Sequence, residues 1–221
     1  MTAYMSAYSY CYKNGPKQKP TPSKSKNDED DDDDEENEQK GNQKISRENN
    51  HVYFHAEVNR GSIFELVSYI REAQESALLT QLRFGLEEVP IYLHINSFGG
   101  SVFDAMTAID TILSSKIPIY TIVEGATASA GTLISVVGKK RYITPNAYML
   151  IHQLYSEYWG KMNELEDEFK NLQILMDRIK NIYKEHAKIP KKELSEILKH
   201  DLWWDSEKCM KFGLVDELWT R

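Results

Sequence analysis

Residues 125–131, Gly-Ala-Thr-Ala-Ser-Ala-Gly, set one serine, Ser129, among side chains no larger than threonine. Small neighbours permit a sharp turn and let a second backbone come close. An apolar run from Pro118 to Val123 precedes the segment, and a helical pattern begins around Ser129. A serine at such a strand-to-helix junction sits where free backbone N–H groups and the helix dipole favour developing negative charge. That is the logic of a nucleophile elbow, although Thr127 holds the first glycine position of Gly-x-Ser-x-Gly. The plainer alternative is a serine that caps its helix in an Ala/Gly-rich packing contact.

A nucleophilic serine needs a base, and a neutral imidazole near pH 7 serves best. The six histidines are His51, His55, His94, His152, His186 and His200. His94, between Leu93 and Ile95, reads as an alternation residue of a central strand. His51 and His55 lie four apart, which along a strand is roughly 13 Å, too far to share a metal. His186 falls in a polar helix end, where a cation suits the dipole. His152 ends the run Tyr148-Met149-Leu150-Ile151, where the chain turns outward. The base in turn needs an orienting carboxylate. Sequence chemistry leaves Asp177, Asp201, Asp205 and Asp216 open, with Asp205-Ser206 reading as a helix cap. Gly99-Gly100, at the head of another helix, offers backbone donors for an oxyanion with no side chain in the way.

The elements that must position these residues follow from periodicity. Val52 to Ala56, Pro90 to Ile95, Pro118 to Val123, Arg141 to Thr144 and Tyr148 to His152 read as strands. Residues 61–82 and the segment from Val102 to Leu113 carry apolar side chains at helical spacing. Such alternation predicts an α/β architecture, a parallel sheet with flanking helices and right-handed crossovers. Chemistry then gathers at the carboxyl ends of the strands, which sets the Gly99-Gly100 and Gly125-to-Gly131 junctions on one rim. Over about residues 160–185, Met162, Leu165, Phe169, Leu172, Met176, Ile179 and Tyr183 recur at alternating spacings of three and four. That heptad seam predicts a long helix that packs on its own domain or meets a second copy, and the narrowness of the seam favours the second copy.

The chain has 221 residues with a net charge of −7, two cysteines (Cys11 and Cys209), and no apolar run near the roughly 20 residues that span a bilayer. The charge excludes a binding mode built on phosphate neutralisation, so no nucleic-acid partner is expected. Two cysteines exclude a disulfide scaffold or a Cys-rich zinc module. The first residues lack the patterns of signal and transit peptides, and the expectation is a cytoplasmic protein with no membrane partner. Residues 13–50 hold one apolar side chain, Ile45, and nine consecutive acids run from Asp28 to Glu36. Such a stretch buries too little to order itself. The expected organisation is therefore a disordered acidic extension over residues 1–50 and one folded domain over 51–221.

In these motifs the sequence resembles the Clp-type serine peptidases, the proteolytic subunits of Clp proteases. Asn96-Ser97-Phe98-Gly99-Gly100 is similar to the family's Asn-Ser-Pro-Gly-Gly turn, and Ala128-Ser129-Ala130-Gly131 to its Ala-Ser-Met-Gly nucleophile segment. Pro145-Asn146 and Met149-Leu150-Ile151-His152-Gln153 are similar to the segment carrying its base. The stretches from Asp201 to Ser206 and from Phe212 to Asp216 resemble Asp-Arg-Phe-Leu-Ser and Tyr-Gly-Leu-Val-Asp. The resemblance implies the ClpP/crotonase-like fold with a protruding handle helix. It implies Ser129 as nucleophile, His152 as base and Asp201 as its orienting acid, with the N–H groups of Gly99 and Ala130 as oxyanion hole. It also implies no metal or other cofactor, a homo-oligomer of stacked heptamer rings joined through the handle seam, an ATP-dependent AAA+ unfoldase partner and unfolded polypeptides as substrates. Phe98 and Leu154 stand where the family has prolines, and of the glycines that follow its base only Gly160 remains. The alternative is a non-catalytic ring subunit that co-assembles with an active paralogue.

Overall fold

Side-chain alternation on the central strands decides the layers. A computed structural model describes residues 44–220. In β2 (His51–His55), β3 (Ile91–Ser97) and β4 (Ile119–Ala128), one face carries Val52, Phe54, Ile91, Leu93, Ile95, Ile119 and Val123, all buried. Against it lie α1 (Arg60–Phe84), α2 (Val102–Leu113) and α3 (Ala130–Val136). Helix α1 turns Ile63, Leu66, Val67, Ile70, Ala73 and Ala77 inward at helical spacing. It starts at an Asn59–Ser62 capping box and ends at Gly85, whose φ of 64° is the left-handed geometry of a helix stop.

The sheet runs β1-β2-β3-β4-β5-β7, with β1 at Lys44–Glu48, β5 at Lys140–Ile143, β7 at Glu217–Leu218 and β6 (Tyr148–Leu150) paired to β4 off this path. All pairs are parallel except β1–β2. The α/β class and parallel sheet expected from the sequence are therefore present. Beyond β6 come the long helix α4 (Met162–His186), α5 (Lys191–Ile197) and α6 (Ser206–Lys211).

Two boundaries differ from the expected ones. Residues 44–48, inside the expected extension, form a strand: β1 pairs antiparallel with β2 and sets Ile45 opposite Phe54. An edge strand needs only its backbone ladder and one apolar contact, so its polar composition concealed it. Asn49, at φ 55°, makes the tight turn. The acidic run lies outside the described residues. Strand β4 also continues through Gly125 to Ala128, where a turn was expected.

The sheet's other face is aromatic and titratable. His51, Tyr53, Tyr92, His94, Tyr120, Tyr142 and Trp219 stack or meet edge to face across it. His51 Nδ1 lies 2.9 Å from His94 Nε2, and His94 Nδ1 lies 2.7 Å from Glu124 Oε1. His55 Nε2 stands 3.6 Å from the other Glu124 oxygen. The two imidazoles hold the Glu124 carboxyl down at about 2 against an ordinary 4.5. A depressed carboxyl contributes stability that is complete above its unfolded value and is lost as pH falls through 4.5 toward 2. Acid titration of unfolding free energy is expected to lose roughly 1–3 kcal/mol over that window through this one group, and Glu124→Gln to remove that part of the slope.

Candidate functional site

Strand β4 forks. Its first half, Tyr120–Val123, pairs with β5, and its second half, Ala126–Ala128, pairs with β6 at Tyr148–Leu150. Gly125 sits at the fork with φ 60°, and a Cβ there would fall 2.9 Å from Asn96 Nδ2. The β4–β6 ladder runs one residue past the strand, since the Ser129 N–H donates to the Leu150 carbonyl at 2.9 Å. Ser129 and His152 thus leave neighbouring strands, about 4.8 Å apart, at the same carboxyl edge.

Ser129 has φ 54° and ψ −127°, a conformation that side-chain-bearing residues rarely adopt and that costs on the order of 1–3 kcal/mol. It occupies the N-cap position of α3, yet its side chain makes no capping hydrogen bond. A capping serine has an extended backbone and accepts from the first turn. The capping alternative therefore fails, and the half-buried hydroxyl is left for other work.

The Gly99-Gly100 loop closes over this turn. A Cβ on Gly99, at φ 97°, would lie 2.6 Å from Ser129 Cβ and 3.0 Å from the Ala130 nitrogen. Only glycine allows that approach. The loop is held from behind: Val58 N–H donates to the Gly99 carbonyl and Ser101 N–H to the Val58 carbonyl, both at 2.7 Å. The Gly99 N–H meets Ser97 Oγ at a long 3.2 Å. Both glycine junctions thus share one rim, as the topology required.

Of the four aspartates left open by sequence, one lies against His152. His152 Nδ1 lies 3.2 Å from Asp201 Oδ1. Met149 and Trp204 exchange backbone hydrogen bonds of 2.9 and 2.7 Å, and Gln153 N–H donates to the Leu198 carbonyl at 2.7 Å. These antiparallel pairings bracket His152 and Asp201 and set them opposite each other. Asp216 instead grips Arg141, whose Nη2 lies 2.5 Å from Asp216 Oδ1. Asp205 caps α6 by accepting from Lys208 N–H at 2.8 Å. Asp177 lies 3.8 Å from Lys180.

The remaining histidines take other places. His186 ends α4 and its carbonyl accepts from Arg141. His200 lies 3.6 Å from Glu196. His94 is more than an alternation residue, since it links His51 to Glu124. Sequence reading missed this network; the i, i+2 recurrence of His51, Tyr53 and His55 opposite Tyr92 and His94 was the signal available. Among the described residues no group of three or more His, Cys, Asp or Glu side chains could hold a metal ion. Nor does any described helix have the length and apolar character to cross a membrane.

The long helix divides. Met162, Leu165 and Phe169 are exposed and Leu172 is half-buried. Ile179, assigned to the oligomer seam, is instead 4% exposed in the chain's own core with Ile182 and Tyr183. The last turns of α4 pack on α3, and that contact takes Ile179 out of any interface. Met176 is partly buried there, its sulfur accepting from Leu154 N–H at 3.4 Å.

A parallel α/β sheet with a strained serine at a strand-to-helix turn, and a His–Asp pair on the next strand's exit, defines a hydrolase-like class of site. The Clp protease family model matches residues 46–221, and the chain belongs to that family. It is 31% identical to an ATP-dependent Clp protease proteolytic subunit of Deinococcus radiodurans over 59% of this chain, and the match spans 65% of that relative, less than two thirds of its length. It is 28% identical to the subunit of the same name from Streptococcus mutans over 80% of this chain and 93% of that one.

Burial lowers the His152 pKa from 6.5, and the neighbouring Asp201 carboxylate opposes the shift. Ring-proton NMR is expected to place the His152 titration below 6.5 in the native chain. Asp201→Asn is expected to move it lower still, because the carboxylate is the group that raises it.

Proposed function

We propose that this chain is a self-compartmentalising serine endopeptidase that cuts unfolded polypeptides. The observation that carries the reading is Ser129, strained, uncapped and turned out on the rim to which β6 delivers the Asp201-paired His152. In this reading Ser129 Oγ attacks the scissile carbonyl while His152 Nε2 takes its proton. Asp201 holds Nδ1 and stabilises the imidazolium. The N–H groups of Gly99 and Ala130 receive the oxyanion, Gly99 giving up its long bond to Ser97 Oγ. His152 then protonates the leaving amine, an acyl-enzyme remains on Ser129, and water deprotonated by His152 releases the peptide acid. No step consumes ATP.

Assembly and feeding belong to the same proposal. The exposed Met162, Leu165 and Phe169, with Leu172 and Met176, form a seam suited to a second copy of the helix. The stacked heptamer rings, the AAA+ unfoldase and the cytoplasmic setting are inferred from the family; the two relatives' names carry "ATP-dependent".

Treatment of the purified chain with a fluorophosphonate, followed by peptide mapping, is expected to give one adduct, on Ser129, that Ser129→Ala abolishes. A folded, assembled chain with no adduct would overturn the peptidase reading in favour of a structural ring subunit. Asp201→Asn is expected to lower kcat by roughly 10²–10⁴-fold at pH 7 while the rings persist. Phe169→Asp is expected to reduce the sedimenting mass and leave the monomer's thermal stability within about 0.5 kcal/mol, since the side chain is 62% exposed.

A further inference from the structure

One buried hydroxyl pair is used by neither the sheet nor the catalytic scheme above. Thr132, on the first turn of α3, is 0% exposed, and Tyr183, near the end of α4, is 1% exposed. Their hydroxyl oxygens lie 2.7 Å apart. Thr132 Oγ1 also donates to the Ser129 carbonyl at 2.6 Å, and the Thr132 backbone N–H reaches the same oxygen at 3.0 Å. A threonine hydroxyl has one proton. Because that proton goes to the Ser129 carbonyl, which can only accept, Tyr183 must be the donor to Thr132. The order is therefore directional, from Tyr183 O–H to Thr132 O–H to the Ser129 carbonyl. Burial pushes the Tyr183 phenol far above its ordinary 10, so the donor keeps its proton.

The carbonyl at the end of this chain belongs to the Ser129–Ala130 peptide, and the N–H of that peptide is Ala130's. A peptide unit is planar and trans, so fixing its oxygen fixes the opposite direction of its N–H. Donors on the oxygen also polarise the group and strengthen the N–H as a donor in its own right. We propose that Tyr183 is a positioning residue that, through Thr132, aims and polarises the Ala130 N–H toward the oxyanion. This rests on the peptidase reading and deepens it. It also makes the final turns of the long helix part of the active site, since α4 supplies the hydroxyl on which the Ser129 turn is braced. The strained φ of Ser129 supplies the need, because a peptide held away from its preferred geometry requires an outside grip.

Tyr183→Phe keeps the ring in its core position and removes only the hydroxyl. In the full-length chain, with rates normalised to fluorophosphonate-titrated sites, kcat on a short fluorogenic peptide is expected to fall about 5–10-fold with KM unchanged. That is less than the 10²–10³-fold of deleting an oxyanion donor outright, since the N–H stays and only its aim and polarity weaken. Affinity for a peptide aldehyde, which forms a tetrahedral adduct, is expected to fall by a similar factor. Thr132→Val should show the same pattern, and Thr132→Ser, which restores the hydroxyl, should recover kcat relative to Thr132→Val. A purely structural role would lower the number of titratable sites and leave kcat per site and aldehyde affinity alone; that result overturns the proposal. A Tyr183→Phe chain with unsubstituted kcat per site overturns it equally. Absence of label on the unsubstituted chain is a distinct result, which brings down the peptidase reading and this inference with it.

Discussion

The hydrogen bond from the Ser129 N–H to the Leu150 carbonyl is the constraint on which the site depends. It extends the β4–β6 ladder by one residue, so Ser129 is still part of the sheet when α3 begins at Ala130. The chain must therefore turn from strand to helix within a single residue. That demand accounts for the positive φ of Ser129 and for the small side chains around it. Gly131 is packed so that a Cβ would lie 3.1 Å from the Ser97 carbonyl, and Gly99 comes nearer still to Ser129. Larger residues would push the Gly99-Gly100 loop away from the Ser129 turn.

Two histidine systems in the same domain show how surroundings assign chemistry. His51, His94 and His55 are engaged with one another or with Glu124, so their protons hold a sheet face together. His152 has the Asp201 carboxylate on Nδ1, and leaves the sheet at the same edge as the uncapped Ser129. A ring with one nitrogen anchored can accept a proton at the other. Asp216 is engaged elsewhere, by Arg141, which also donates to the carbonyls of His186 and Gly213, and Asp201 is the acid that faces His152.

The long helix serves two surfaces in succession. Its final turns bury Ile179, Ile182 and Tyr183 against the serine-bearing helix, while its first turns leave Met162, Leu165 and Phe169 in solvent. A continuous heptad seam looks the same in either role, since the repeat records only which face is apolar. Which turns meet the domain depends on where α4 starts relative to α3, a distance that no local pattern encodes.

Much was legible in the order of residues. Alternation on β2, β3 and β4 and the spacing in α1 and α2 determined an α/β sheet with helices, because side-chain period follows directly from backbone geometry. Ser129, His152 and the Gly99-Gly100 turn stood out as strand-end residues. The polar edge strand β1 did not, since its stability comes from a backbone ladder that composition does not report. Asp201 emerged only by resemblance to a family; among four aspartates nothing local distinguished it. The tertiary structure sets Asp201 against His152 through the Met149–Trp204 and Gln153–Leu198 pairings. It also decided that Glu124 meets both His94 and His55, and that Ile179 belongs to the core. The Asp201, Glu124 and Ile179 placements are each contacts between residues distant in the chain. Sequence specifies the faces that elements present, whereas such contacts arise only when those faces are packed together.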